Sequence, residues 1–223
     1  MSFSPLPPAF ASDLAGGGRL LELGCGDGRF TRRLRRPGWS VVTLDRRPPR
    51  LGSVAAVVGD ARRPPLRERS FRIVVAANLL RFLVADGAGP GVVTRWRRLL
   101  VPGGSLFILE DEPSADTPAR RHYRDLQELL ARLVPGRPPL WPWRRARRWL
   151  ARANGGTPPH GGVLENREPP PAADDLRAAF AAGGAPPAPL ADLLVAVAKE
   201  GIDYGRYWWC RLPAPGEETR CPA

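Results

Sequence analysis

Lysine is almost missing from this 223-residue chain: Lys199 stands alone. There are two histidines and three cysteines. Cys25, Cys210 and Cys221 have neither the spacing of a metal site nor that of a disulfide framework. No apolar stretch reaches membrane-spanning length, because the longest candidates break at Arg72 and Arg81 or stop near Ala198. Met1 to Gly18 lacks a basic segment followed by an apolar core, which argues against a secretory signal. No internal repeat is visible. These absences exclude a membrane-embedded or disulfide-stapled chain and predict a soluble protein of a reducing compartment, the cytoplasm. The length suits one domain with a full core.

What is abundant is arginine, which carries nearly all of the positive charge behind a formal net of +12. One reading is an anionic partner, nucleic acid or a membrane surface. The other is composition. Arg, Pro, Ala and Gly are high together, as a GC-rich coding bias produces, and net charge alone speaks weakly about partners. The compositional reading is preferred.

The chemistry concentrates in Gly18–Thr31. Leu20 to Leu23 is a short apolar run and reads as a buried strand. Gly24, Gly26 and Gly28 follow at alternate positions, and a helical pattern starts with Phe30 and Leu34. Strand, glycine turn and helix let backbone approach a ligand closely, because glycine has no Cβ. The first helical turn then offers unpaired N–H groups. A dinucleotide turn wants G-x-G-x-x-G, but Arg29 stands where its third glycine belongs. No Tyr-x-x-x-Lys pair exists either, so a nicotinamide-dependent reductase is a poor candidate. The form here is E-x-G-x-G-x-G, from Glu22 to Gly28.

Two acids follow at strand ends. Ser40–Asp45 reads as a β-branched second strand whose terminal Asp45 lies 21 positions after Gly24, a spacing that lets a carboxylate accept ribose hydroxyls. Val54–Val58 reads as a third strand ending in Gly59 and Asp60. Phe71–Ala76 is a fourth strand. Gly91–Leu100 is an amphipathic helix, Pro102-Gly103-Gly104 a turn, and Ser105–Glu110 a buried fifth strand.

Taken together, Glu22/Gly24/Gly26/Gly28, Asp45, Asp60 and Pro102-Gly103-Gly104 resemble the class I S-adenosylmethionine-dependent methyltransferases. "D-A-x-x-x-P-L-x-x-x-S-F" from Asp60 resembles the small-molecule, quinone-biosynthesis-like group. The resemblance implies an α/β, Rossmann-like, doubly wound sheet of seven mostly parallel strands with a C-terminal antiparallel hairpin. It implies S-adenosyl-L-methionine as cofactor, no metal, and transfer of a methyl group to an O, N, S or C atom of a small molecule. Carried onto this chain, the cofactor residues are Glu22, Gly24, Cys25 and Gly26 at the methionine end, Asp45 with Arg46 at the ribose, Asp60 and Ala61 at the adenine, and Asn78 beside the reactive methyl. No catalytic residue is assigned: relatives often carry His where Arg81 stands.

The remaining chain divides as residues 1–17, an N-terminal arm or short lid; 18–212, one methyltransferase domain with a helical substrate-shaping insertion at 113–171; and a flexible tail, 213–223. Within the insertion, 119–134 reads as a helix and 154–171 as a Gly/Pro-rich loop holding His160. Leu140–Arg152 mixes tryptophan with arginine. It reads as a lid or cover, an RNA-binding helix with aromatic stacking, or a membrane-surface helix. Leu190–Ala198 and Tyr204–Leu212 read as the terminal hairpin, and Glu110–Glu112 as acids that either meet a substrate or are merely solvated. The alternatives to a small-molecule enzyme are an RNA or protein methyltransferase docking through 144–152, and a non-catalytic scaffold that binds the cofactor.

Overall fold

The computed structural model describes residues 5–47, 54–111, 143–165 and 206–217. Helix α1 is Pro8–Leu14, strand β1 Gly18–Leu23, helix α2 Arg29–Leu34, β2 Trp39–Asp45, β3 Ala55–Val58 and β4 Phe71–Ala77. Then come α3 Leu80–Ala85, α4 Gly91–Arg98, β5 Leu100–Asp111, α5 Trp143–Ala153, β6 His160–Glu165 and β7 Arg206–Pro213.

The seven strands form one sheet in the order β3-β2-β1-β4-β5-β7-β6. β1 pairs in parallel with β2 and β4, β2 with β3, and β4 with β5. β7 is antiparallel to both β5 and β6. The order reverses between β1 and β4, and in open α/β sheets ligands bind at such a switch point, beyond the carboxyl ends of the strands.

Strand alternation sorts the core into two layers. Leu21, Leu23, Val74, Leu106 and Ile108 join the cluster that includes residues of α3, α4 and α5. Leu20, Ile73, Val75, Phe107 and Leu109 join Phe10 and Leu14 of α1 and Phe30 and Leu34 of α2. By the same alternation Glu22 belongs to the α2 face and Glu110 to the α3 face.

The N-terminal segment does more than a loose arm would. Pro8 opens α1 at a position where its missing N–H costs nothing. Phe10 is fully buried and stacks on Phe107 at 4.5 Å between ring centroids. The segment is joined to β7 twice: Arg211 pairs with Asp13 of α1 at 3.1 Å, and the Tyr207 hydroxyl donates to the carbonyl of Pro5, ahead of the helix.

The loop expected over 154–171 contains β6 instead. Gly161 is the reason: a Cβ there would lie 2.2 Å from the Trp209 carbonyl oxygen, so glycine lets β6 approach β7. The antiparallel partner of β7 is therefore His160–Glu165. The expected strand at 190–198 and the expected helix at 119–134 lie outside the described residues. Pro102–Gly104 is not a free turn; it runs inside β5, opposite a register shift between Phe71 and Ile73.

Pro213 to Glu217 is held, not loose. Ala214 is buried. The buried Arg97 of α4 donates to the carbonyls of Pro213 at 2.8 Å, Ala214 at 3.1 Å and Ala153 at the end of α5. The apolar stripe of α5, Ala146, Trp149, Leu150 and Ala153, is buried against the same layer, with Arg145, Arg147, Arg148 and Arg152 outside.

Candidate active site

The glycine turn leaves β1 at Gly24 and enters α2 at Arg29. Gly24 and Gly26 have φ of +71° and +53°, in the left-handed region that side chains disfavour. Gly24 is also needed for space, since a Cβ would stand 2.9 Å from Leu79 Cδ1. A Cβ on Gly26 would meet nothing within 4 Å, so there the turn faces open space that a ligand can enter.

Asp45, at the tip of β2, closes on this turn. Its Oδ2 accepts the Gly26 N–H at 2.9 Å and its Oδ1 accepts the Arg47 N–H at 3.1 Å. Each oxygen keeps a further lone pair for a ligand hydroxyl. Asp60 follows β3. Its Oδ1 accepts the Arg62 N–H at 2.8 Å, which fixes the direction of the carboxylate. The Ala61 carbonyl accepts the indole N–H of the buried Trp96 at 2.7 Å, and the Arg62 carbonyl accepts Arg95 Nε–H at 2.8 Å. Helix α4 thus staples the loop that presents Asp60 and Ala61.

Glu22 sits beneath the turn and is 1% exposed. It accepts the Thr31 hydroxyl from α2. Burial raises its pKa to about 7, against the Thr31 hydrogen bond that lowers it, with Asp27 and Asp45 adding repulsion. Cys25 is buried too, and desolvation pushes its thiol up to about 11, so it is a neutral packing group at physiological pH.

Asn78 follows β4 with φ of +52°, a conformation that Asn tolerates better than most residues. Its Oδ1 accepts a hydrogen bond from Arg81 Nη2. Glu110 is fully buried and stands behind this pair. Its Oε1 accepts the Leu80 N–H at 2.7 Å, capping α3, and its Oε2 pairs with Arg81 Nε at 3.1 Å. Glu110 is therefore neither a solvated loop acid nor an open proton acceptor.

Six of the nine sequence-assigned cofactor residues line one cleft of about 220 Å³: Gly24, Asp45, Arg46, Asp60, Ala61 and Asn78. Glu22, Cys25 and Gly26 are not on its wall. Glu22 and Cys25 lie under the turn, and Gly26 caps Asp45 from outside. The cleft also takes in Leu79, Phe82 and Leu83 as an apolar side and Arg62 and Asp86 as a charged rim. Sequence reading passed over Arg62 and Asp86, since nothing local links the two, 24 positions apart. Among the described residues no His/Cys/Asp/Glu group could hold a metal ion.

Residues 21–108 match the family described as a methyltransferase domain. No curated protein matches the chain. Among solved structures it is similar to a SAM-dependent methyltransferase from Methanosarcina mazei, with 18% identity, a TM-score of 0.51 and coverage of 73% of this chain and 91% of that one. It is also similar to a methyltransferase from Bacillus halodurans, with 16% identity, a TM-score of 0.56 and coverage of 92% and 99%. A third is a chain of the complex between the Haloferax volcanii Trm112 methyltransferase activator and a methyltransferase, with 17% identity, a TM-score of 0.55 and coverage of 92% and 88%. At these identities the structural likeness is one of fold.

The seven-stranded sheet and its strand order are those of the Rossmann-like methyltransferase fold, and residues 21–108 carry the match to a methyltransferase domain. No helix among the described residues is long and apolar enough to cross a membrane.

Proposed function

We propose that the protein methylates a small molecule in the cytoplasm, with the cofactor held in the cleft at the β1/β4 switch point. The observation that carries this is the convergence on one wall of residues that the motif assigned separately, Gly24, Asp45, Asp60, Ala61 and Asn78. The residues suit an adenosyl-amino-acid. Gly26 is open where a Cβ would stand, Asp45 offers oriented lone pairs for ribose hydroxyls, and Asp60 with the Ala61 N–H offers an acceptor and a donor for adenine. Gly24, Cys25 and Gly26 would meet the methionine end through backbone. Glu22 would act from below by pinning α2 to β1 through Thr31.

When bound, S-adenosylmethionine supplies a sulfonium methyl ready for displacement. The chain's share is to orient the acceptor in line and to keep water out. Leu79, Phe82 and Leu83 give the apolar wall for that task. Cys25 and Glu110 are unsuited to proton abstraction, the first because its pKa is raised and the second because its oxygens are occupied. A small acceptor is favoured over RNA because Trp149 is buried and is not available for base stacking. The free, buried thiols of Cys25 and Cys210 suit a reducing compartment.

The test is Asp45→Ala with calorimetric titration of the cofactor. A charge-assisted hydrogen bond contributes about 1.5–3 kcal/mol, so affinity should fall about tenfold to a hundredfold. Unchanged affinity would remove Asp45 from the site.

A further inference from the structure

Arg62 stands at the cleft rim between two carboxylates. Its Nη2 pairs with Asp86 Oδ2, at the C-terminal cap of α3, and its Nη1 is 3.9 Å from Asp60 Oδ2. Its backbone cannot shift easily, because its N–H is held by Asp60, its carbonyl by Arg95, and the carbonyl before it by Trp96. Only the side chain has a choice of partner. Arg62 Nε is buried without a hydrogen-bond partner, so the two carboxylates, and not Nε, set where the guanidinium lies.

We infer that Asp86 is a positioning residue for base recognition: it draws the Arg62 guanidinium off Asp60 and so leaves Asp60 Oδ2 open to accept the 6-amino group of adenine. The inference rests on the proposed adenine role of Asp60. A guanidinium fork binds a carboxylate bidentately when nothing competes for it. With Asp86 removed, Arg62 turns onto Asp60 and occupies the acceptor that the base needs. Asp86 thus acts through Arg62, without touching the ligand, and the same arginine switches from bystander to blocker.

Binding of S-adenosylhomocysteine and of its 6-oxo counterpart, S-inosylhomocysteine, to the full chain reads this out by calorimetry. The wild type should prefer the adenosyl compound by about tenfold or more, since a 6-oxo group offers Asp60 no donor. Asp86→Ala should weaken the adenosyl compound about tenfold and narrow the preference, while Asp86→Glu should keep both. Adding Arg62→Ala to Asp86→Ala should return affinity and preference toward wild type, because the blocker is gone. A merely structural role for Asp86 predicts no such rescue and leaves the preference unmoved, and either result overturns the inference. If the wild type binds both compounds equally, Asp60 is not the adenine acceptor, and the reading beneath the inference falls with it. If the wild type prefers the adenosyl compound but Asp86→Ala does too, the inference alone falls.

Discussion

Glu22 and Glu110 are alike in position and unlike in company. Each stands near the carboxyl end of a parallel strand, β1 or β5, and each is almost fully buried, at 1% and 0% exposure. They face opposite sides of the sheet. Glu110 receives a guanidinium, from Arg81, and two N–H groups at the start of α3. Glu22 receives one neutral hydroxyl, from Thr31, and has Asp27 and Asp45 for neighbours. Burial is equal, so the difference lies in the donors. The first carboxylate is built to be charged and to hold α3 beside the cleft. The second is charged only at a cost, and its pKa moves to about 7.

The largest test of that contrast is Glu110→Ala. It strands a mostly buried guanidinium and the first N–H of α3 together, and should cost about 3–5 kcal/mol in denaturant unfolding. A loss under about 1 kcal/mol would show that Glu110 is not the anchor of α3. Next is Glu22→Gln. Because the folded pKa lies above the unfolded one, the stability linked to Glu22 is present in full below about pH 4.5 and is lost as pH rises through about 7. Glutamine does not titrate, so the variant should lack this decline and be more stable than wild type at pH 8 by about 3 kcal/mol. Parallel pH profiles for the two proteins would contradict the raised pKa. The smallest effect is expected from Thr31→Val, which removes the one donor to Glu22. The midpoint of the decline should move to higher pH by about one unit, the equivalent of one ordinary hydrogen bond. A midpoint that moves downward would mean that Thr31 does not donate to the ionised carboxylate.

The same contrast explains how much of the molecule was legible. The glycine turn, Asp45 and Asp60 are local signals: a strand, a residue type and a spacing. They led to six residues that line one cleft. Glu110 was not legible, because an acid at a strand tip looks alike whether it faces a ligand or caps a helix 30 positions earlier. Gly91–Leu100 was read as an amphipathic helix, but the hold of its Trp96 on Ala61 spans 35 positions. Strand β6 was missed for a different reason. Gly161 and Gly162 mark a loop when read alone, and a close approach once Trp209 is known to lie opposite. Pro213–Glu217 was misjudged likewise, since the arginine that holds it lies 116 positions upstream.

The two ties between the N-terminal segment and β7 have a bearing on how the chain acquires its shape. Tyr207 reaches Pro5 across 202 positions, and Arg211 reaches Asp13 across 198. During synthesis α1 leaves the ribosome early, yet the strand that fastens it arrives only after β1 to β6 have been made. Phe10 has Phe107 to rest on in the interval, but the edge of β5 that β7 later occupies is still bare. Such late closure of a long loop favours slow, cooperative maturation over stepwise assembly. It also makes the nascent chain, more than the finished one, the form exposed to edge-to-edge aggregation.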